Sequence, residues 1–379
     1  MRSLYFVGAG FTKGLESRRP VPLVKDFVHI LAKYARRDNV AFATLVGLEG
    51  MNVFRHHDAI LRNLANAGRP KRHRTQILTR VSARPQESIE TLLNRAHRMD
   101  DALKGLSVKT VLAAINDPIL RVQYAINSIF GLIGWRLKLA RLIKFLQRQC
   151  GSKESTHTFV SFNYDIVLEH ALEQAGPWSA RRGYGIRFRW TATNDPTLLG
   201  GTVVMRAIGG RASQISVLKP HGSLNWLAAK GRDARRVPVV ATTQAGSVRY
   251  VGVTKPHASV RFPTSWRPVA VTPLIVPPMS AKNTRVPTLR RLRSLETVAI
   301  KEADEVFIIG WRMIASDDDQ INLIRKAVSA RKRPFSRVVV VNLRAGESYY
   351  RRIADTFGVR ARAIIRFDQG LQDFLQKWR

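Results

Sequence analysis

Three short β-forming runs in this chain each end directly in glycine or in polar residues. They are residues 4–7 before Gly8-Ala9-Gly10, residues 158–162 before Asn163, and residues 215–218 before Lys219-Pro220-His221-Gly222. Continuous runs of this composition are typical of strands buried on both faces inside a parallel sheet. Ligands of such sheets bind beyond the carboxyl ends of the strands. The three runs therefore predict a parallel sheet with a binding site at one edge.

Two further buried strands are predicted near the end of the chain, at residues 305–309 and 337–341, with a crossover helix at 318–330 between them. Gly310 and Asn342 follow these strands directly. A chain of 379 residues is long enough to bury the core that such a sheet requires. We therefore predict an α/β protein built on a Rossmann-like parallel sheet.

Two segments without strong strand signals interrupt this pattern. Residues 41–155 are helical and basic and are predicted to form an inserted helical subdomain. Residues 229–267 carry prolines and basic side chains and are predicted to form an irregular insertion. Within the first segment, residues 126–146 mix apolar and cationic side chains, which is compatible with a membrane-surface helix. Packing inside the subdomain or against a partner chain is favoured, because no lipid-anchor signal accompanies the run.

The cysteine count and the hydropathy exclude several classes of protein. Cys150 is the single cysteine, so a disulfide framework and a four-cysteine zinc site are both excluded, and we expect no zinc ribbon. No apolar run reaches the roughly 18 residues that a membrane span needs. No secretory pattern precedes the first strand. We therefore expect a cytoplasmic protein with no membrane span.

The charge is strongly positive, at a formal +36 from 63 Lys and Arg against 27 Asp and Glu. One interpretation is a nucleic-acid or other polyanion partner, because cations that neutralise phosphates release counterions. The other interpretation is a genome rich in arginine codons, with the cations spread over a solvated surface. The basic clusters are scattered along the chain, at residues 69–74, 181–182, 235–236, 290–293 and 331–333. Their distribution leaves both interpretations open.

Five residues follow predicted strands and would lie at the same edge of the sheet: Gly10, Asn163, His221, Gly310 and Asn342. Each has a purely structural alternative, since glycine serves in tight turns and asparagine caps loops. A random chain has no reason to place such residues repeatedly at one edge. Together they predict a ligand site there.

Taken in order, these motifs resemble those of the sirtuin-like family of NAD-consuming proteins. The resemblance implies one sirtuin-like NAD-binding domain over residues 1–379, apart from the insertions, with NAD as the substrate and no metal in the reaction. The residues that it implies for NAD binding are Gly8, Ala9, Gly10, Phe11, Thr12, Gly222, Gly310 and Asn342.

The resemblance also implies roles for three catalytic residues. Asn163 would position water at the anomeric carbon of the nicotinamide ribose, and Asp165 would hold the carboxamide of the leaving group. His221 would act as the general base, a task that suits a side chain titrating near neutrality.

Several positions depart from the usual sirtuin pattern. Thr12 stands where serine is common, Phe162 replaces a glutamine, and Trp311-Arg312 replaces smaller residues. With the missing zinc module, these departures are similar to those of prokaryotic sirtuin-like effectors that hydrolyse NAD in antiphage defence. That similarity implies an NAD+ glycohydrolase gated by homo-oligomerisation or by a partner sensor or ATPase protein. An NAD-dependent protein deacylase and a non-catalytic nucleotide- or nucleic-acid-binding module remain open, as does the preference between NAD and NADP.

Overall fold

The structure is a computed structural model. It describes residues 1–15, 139–152, 154–176, 178–180, 182–186, 188–193, 202–206, 214–230, 236–242, 247, 259–263, 267–276, 287–314 and 317–378. Most of the predicted 41–155 subdomain, including the basic cluster at 69–74, lies outside the described residues.

The described elements alternate between strands and helices along most of the chain. In chain order the strands are β1 (Arg2–Val7), β2 (Thr156–Ser161), β3 (Trp190–Ala192), β4 (Thr202–Arg206), β5 (Ile215–Leu218), β6 (Gly222–Lys230), β7 (Arg236–Ala241), β8 (Ser259–Arg261), β9 (Val269–Ile275), β10 (Glu305–Ile309), β11 (Arg337–Val341) and β12 (Ile364–Phe367). The helices are α1 (Ala9–Gly14), α2 (Ala140–Cys150), α3 (Val167–Ala175), α4 (Pro287–Glu302), α5 (Asp318–Ser329), α6 (Glu347–Phe357) and α7 (Leu371–Lys377), with a 3₁₀ turn at Ala361–Ala363. None of the helices within these described ranges is long and apolar enough to cross a membrane.

Six strands form one sheet in the order β12-β11-β10-β1-β2-β5, and every pair of neighbours is parallel. The predicted α/β class with a Rossmann-like parallel sheet is therefore confirmed. The predicted strands at 305–309 and 337–341 coincide with β10 and β11. Because all six strands run the same way, their carboxyl ends share one edge, as the sequence indicated.

The core lies on both faces of the central strand β1. Successive side chains of a strand point to opposite faces, so Tyr5 and Phe6 pack on opposite sides of the sheet. Tyr5 is stacked between Phe159 and Phe307, with ring centroids 4.4 and 4.7 Å away. On the other face Phe6 contacts Phe357 of α6 edge-on at 5.5 Å. Buried aromatic pairs of this kind add about 0.5–1.5 kcal/mol each beyond the burial of their area.

Helix α2 belongs to this main core although it falls inside the predicted helical insertion. Its Leu142, Phe145 and Leu146 are buried, and Phe145 packs edge-on against Phe374 of α7 at 5.2 Å. The amphipathic pattern of residues 126–146 therefore has an internal explanation where it is described, from residue 139 onwards. The apolar stripe of α2 faces the sheet domain, and its cations face outward.

The second unit is a small closed barrel with strand order β3-β4-β8-β9-β6-β7. Strands β7 and β8 lie in the segment 229–267, which was expected to be irregular, so that expectation is wrong for these strands. Neither strand is recognisable from the sequence. Strand β8 has only three residues, and β7 contains Pro238 at a position paired with β6. Proline removes a ladder hydrogen bond and normally counts against a strand.

Candidate functional site

The predicted catalytic residues Asn163, Asp165 and His221 lie at the carboxyl edge where β2 and β5 are neighbours. Val160 of β2 is in register with Leu218 of β5. Asn163 and His221 each follow three residues later, so they lie at the same level beyond adjacent strands. The ring of Phe162, next to Asn163, has its centroid 5.5 Å from that of His221. The structure thus brings the loops that carry Asn163 and His221 together.

Three side chains form a chain of hydrogen bonds in this edge. The Asn163 amide Nδ2 donates to Thr12 Oγ1 at 3.1 Å and also to the Gly8 carbonyl at 3.1 Å. The Thr12 hydroxyl in turn donates to Asp165 Oδ2 at 2.9 Å. The other oxygen of Asp165 accepts from the Val167 amide at 3.1 Å, at the start of α3. Thr12 therefore bridges the two residues that the resemblance assigns to water positioning and carboxamide binding.

This cluster is withdrawn from bulk water. Thr12, Asp165 and Asn163 are 2, 4 and 7 % exposed. Burial raises the pKa of Asp165, while the nearby Lys219 ammonium and the hydrogen bonds from Val167 and Thr12 oppose the shift. A carboxylate in such a place is surrounded by donors, and each of its oxygens can accept a further bond from a ligand.

His221 lies in a tight turn that joins the parallel sheet to the barrel. The Gly222 amide donates to the Lys219 carbonyl at 2.9 Å, and the His221 carbonyl accepts from the Val276 amide at 2.8 Å. Gly222 has φ +81°, and a Cβ there would come within 1.9 Å of the Leu274 carbonyl oxygen. Glycine at 222 is thus required where β6 pairs with β9, independently of any ligand.

The glycines of the first turn are explained by close packing between two loops. A Cβ on Gly8 would come within 2.5 Å of the Trp311 Cα, and a Cβ on Gly10 within 2.8 Å of the Gly310 carbonyl oxygen. Gly310 itself has φ +62° and lies against the backbone of Gly10 and Phe11. The turns after β1 and β10 are therefore in backbone contact, which leaves no room for side chains.

Three backbone amides of this turn are already engaged. Gly8 N donates to the Ile309 carbonyl, Gly10 N to the Gly310 carbonyl, and Phe11 N to the Gly8 carbonyl, each at 2.9 Å. Helix α1 that follows is six residues long. The phosphate contact expected of Gly8, Ala9, Gly10 and Phe11 thus stays a prediction, and the structure supplies a separate reason for the glycines.

Asn342 has a local role in the loop after β11. Its Oδ1 accepts from the Leu343 amide at 3.1 Å, which is the loop-cap arrangement that the sequence left open as an alternative. Strand β11 is separated from β2 by three strand spacings of about 4.8 Å each. The carboxyl end of β11, which Asn342 follows, is therefore about 14 Å along the sheet edge from the end of β2, which precedes Asn163. The predicted contact of Asn342 with a ligand stays untested.

Two departures from the family pattern form one aromatic cluster. The ring of Trp311 lies 4.6 Å from Phe162 and 5.8 Å from Phe6, and its Nε1 donates to Asp317 Oδ2 at 2.8 Å. The large side chains at 162 and 311 therefore pack against each other. Arg312, next in the chain, is exposed.

Sequence reasoning missed a buried network directly below the site. Lys219 Nζ forms an ion pair of 2.8 Å with Glu169 Oε1, and both side chains are essentially inaccessible to solvent. Tyr184 OH donates to the same Glu169 oxygen at 3.3 Å and accepts from Asn225 Nδ2 at 2.9 Å. The available signals were a lysine directly after the apolar run of β5 and a glutamate directly after the apolar pair that begins α3.

Among the described residues there is no group of three or more His, Cys, Asp or Glu that could hold a metal ion. A separate feature is a basic groove of about 600 Å³ between α2 and α7. Its lining residues are Arg141, Lys144, Gln147, Arg148, Leu375 and Gln376.

Comparison with known proteins adds little to this geometry. No protein-family model matches the chain. No curated protein matches it either. A solved structure concerned with the mechanism and regulation of Sir2 enzymes aligns over 99 % of this chain and 90 % of that chain, at 11 % identity and a TM-score of 0.35.

Proposed function

We propose that this protein hydrolyses the bond between nicotinamide and ribose in NAD+, releasing nicotinamide and ADP-ribose. The observation that carries the proposal is the hydrogen-bonded trio Asn163, Thr12 and Asp165, next to the His221 turn at the carboxyl edge of a parallel sheet. Of these residues, Asn163, Asp165 and His221 are the ones that the sirtuin-like resemblance assigns to cleavage at the nicotinamide ribose. They lie at the edge where parallel sheets bind their ligands.

The leaving group requires a pocket that recognises a carboxamide. Asp165 supports this role because its carboxylate is buried and each of its oxygens, which accept from Thr12 and Val167, has a lone pair left for a second donor. When the C1′–N bond breaks, its electron pair passes to the positively charged pyridinium nitrogen and neutral nicotinamide leaves. The ribose then carries positive charge, which a buried carboxylate nearby stabilises.

The nucleophile is water in the proposed reaction. Asn163 would orient it through the amide oxygen, since the amide nitrogen is occupied by Thr12 and Gly8. Water forms the new bond to C1′, and its proton passes to the His221 imidazole and then to solvent. Loss of this proton to solvent restores the neutral histidine, and ADP-ribose then leaves.

The remainder of the dinucleotide would lie along the edge toward β11. Asn342 is about 14 Å from the Asn163 side of the edge by the strand spacings above, a span that suits an extended dinucleotide. Arg312 is exposed and follows β10, between the ends of β2 and β11, where its guanidinium would bind the phosphates of the dinucleotide. If an acyl-lysine amide took the place of water, the same residues would deacylate it, which is the alternative enzyme reaction.

We place this activity in a gated antiphage effector that works as a homo-oligomer or with a partner sensor or ATPase protein. The support is the resemblance to such effectors and the damage that unregulated NAD cleavage would do to the host. A free protein with low activity that rises on assembly is the expected behaviour. A fully active monomer would contradict the gating.

The second candidate function is binding of nucleic acid by a non-catalytic module. The groove between α2 and α7 favours it, since its lining contains three cations and no carboxylate. A module of this kind would cleave no NAD, which distinguishes it from the first candidate, although nucleic acid in the groove would not itself block the site, because the groove lining contains none of the site residues.

The decisive experiment is to incubate the purified protein with NAD+ and to measure nicotinamide and ADP-ribose by chromatography, alone and after assembly. We expect Asn163→Ala and His221→Ala to lower cleavage about 10² to 10⁴-fold, as loss of such a group does. Asn322→Ala, exposed on α5, is the matched control and should cleave at the wild-type rate. Wild-type protein that releases no nicotinamide in either state would refute the proposed function, and a fully active His221→Ala variant would refute the general-base assignment.

A further inference from the structure

The Lys219 side chain carries an ammonium group that has no accessible surface. Its Nζ donates to the backbone carbonyl of Asp165 and forms the 2.8 Å ion pair with Glu169 of α3. Burying a charged pair costs several kcal/mol per ion before the attraction between the charges is gained. Apolar side chains of similar volume often stabilise such a place equally well. Stability alone is therefore a weak reason for a lysine here.

The ammonium joins three pieces of chain that must be aligned for the proposed reaction. The first is the turn that carries Asn163 and Asp165, and the second is helix α3 through Glu169. The third is its own turn, two residues before His221, where the Lys219 carbonyl accepts from the Gly222 amide. The side chain and the backbone of one residue thus connect the two halves of the site.

We infer that Lys219 is a positioning residue, whose ammonium, neutralised by Glu169, sets the Asn163–Asp165 turn against the His221 turn. The inference rests on the proposed function, since the positions that it sets are those of the proposed catalytic groups. An ammonium offers three donors, and charge-assisted bonds are about twice as strong as neutral ones. An apolar side chain would fill the volume but could not hold the carbonyl.

A displacement of the Asp165 peptide would pass directly to the reacting groups. Asp165 Oδ2 accepts from Thr12, and the Thr12 hydroxyl accepts from Asn163. The Tyr164 carbonyl, in the same turn, accepts from the Leu224 amide of β6 at 2.9 Å. A misplacement of about 1 Å in such an arrangement can cost about 10²-fold in rate.

The test removes both charges together, because Lys219→Met alone leaves Glu169 buried without its cation and is expected to unfold the protein. In Lys219→Met/Glu169→Met the volume is nearly kept and neither member of the ion pair is left without the other, while Asp165 keeps its hydrogen bonds from Thr12 and Val167. We expect this double variant to melt within a few degrees of the wild type. Its kcat for NAD cleavage should fall at least about 10-fold with KM changed less than about 3-fold.

The control is Arg352→Met/Asp318→Asn, which removes an exposed ion pair of 3.1 Å between α6 and α5. It should keep the wild-type kcat and melting temperature, since exposed pairs contribute about 0–1 kcal/mol. A Lys219→Met/Glu169→Met protein with wild-type kcat would show that the pair only fills space. A double variant that does not fold would equally overturn the inference, because the pair would then serve the core.

A second measurement separates this inference from the proposed function. Amide hydrogen exchange at Val167 and Leu224, which donate to Asp165 Oδ1 and to the Tyr164 carbonyl, reports on the turn without any substrate. We expect faster exchange at both amides in the double variant at equal global stability. If wild-type protein cleaves no NAD and exchange still rises, the proposed function fails and the positioning role stands. Unchanged exchange would refute the positioning role.

Discussion

Thr12 carries the hydroxyl that joins the other polar side chains of the candidate site. A hydroxyl has one proton and two lone pairs, so it can donate to Asp165 and accept from Asn163 at once. Serine, which is usual at this position in the sirtuin-like pattern, offers the same two functions. Threonine in place of serine at residue 12 therefore keeps the hydroxyl that donates and accepts these hydrogen bonds. Its extra methyl group belongs to a residue that is only 2 % exposed.

We expect Thr12→Val to lower the rate of NAD cleavage by about 10-fold or more while the protein stays folded. Valine has nearly the same shape but leaves the Asn163 amide and Asp165 Oδ2 without this partner, and an unpaired buried polar group costs about 1–3 kcal/mol. Thr12→Ser is the matched control and should retain most of the activity. Steady-state kinetics measure both variants. Equal activity of Thr12→Val and wild type would show that the bridge does not position Asn163.

Gly8 follows β1 where the sequence motif predicted a phosphate-binding turn, but close packing of two loops also explains the glycine. A methyl group at this residue would meet the backbone of Gly310 and Trp311. We expect Gly8→Ala to lower the melting temperature by several degrees, because two backbones would have to separate. Gly346→Ala, where only Ser348 Oγ lies at 4.0 Å, should cost at most about 1 kcal/mol, mainly from its position as the N-cap of α6. Thermal melts decide between them, and a stable Gly8→Ala with only a raised KM for NAD would favour the phosphate role instead.

At the scale of whole elements, helices α4 and α5 are joined by one buried polar contact. Gln320 Nε2 donates to Glu296 Oε1, and both side chains are inaccessible to solvent. Within the described residues, Glu296 Oε2 and Gln320 Oε1 have no partner. A proton on Glu296 would let it donate to Gln320, which would satisfy both oxygens. In agreement, burial raises the pKa of Glu296 to about 8, against the opposing effect of Arg293.

The raised pKa makes the packing of α4 on α5 sensitive to pH. The folded state holds the Glu296 proton up to about pH 8, whereas the unfolded state loses it near pH 4.5. Between these values the folded state binds more protons, so the free energy of unfolding falls as the pH rises. We expect Glu296→Gln to remove this contribution and to melt higher than the wild type at pH 8, with little difference at pH 4.5.

Denaturant unfolding across this pH window provides the measurement. Glu302→Gln, exposed on the same helix, should retain the pH dependence of the wild type. If Glu296→Gln is less stable than the wild type at pH 8, Glu296 is ionised in the folded protein and the assignment is wrong.

For the molecule as a whole, the charge of +36 is the property that the fold does not explain. The groove between α2 and α7 collects three cations, Arg141, Lys144 and Arg148, on one face of a helix. The basic cluster at residues 69–74 lies outside the described residues. The groove is therefore the basic surface at which a nucleic-acid partner can be tested from the structure.

We expect the protein to bind nucleic acid with an affinity that falls steeply with salt. Changing Arg141, Lys144 and Arg148 to Gln should lower the slope of log affinity against log salt by about 2–3, since each phosphate contact contributes about 0.7–0.9. Basal NAD cleavage should not change. The matched control replaces three exposed cations of α4, Arg290, Arg291 and Lys301, by Gln. If the two variants had equal slopes, or if the protein bound no nucleic acid at low salt, the positive charge would be explained by a genome rich in arginine codons.

The sequence alone determined five of the six strands of the sheet, β1, β2, β5, β10 and β11, and the edge at which the candidate site lies. Interior parallel strands are short apolar runs, so β1, β10 and β11 can be recognised from neighbouring residues only. Once the strands are parallel, the residues after them must share one edge, which is why the clustering of Asn163 and His221 was predictable. The aromatic cluster of Trp311 and Phe162, by contrast, came from two departures that the sequence presented as unrelated.

Only the tertiary structure decided which groups face each other. Thr12 and Asp165 are 153 residues apart, and Lys219 and Glu169 are 50 apart, so no local period links them. The need for glycine at Gly8 comes from a loop some 300 residues later, and two of the barrel strands, β3 and β8, have three residues each, too few to show a pattern. Periodicity reports which face of an element is buried, whereas hydrogen-bond partners and backbone contacts depend on how the elements pack.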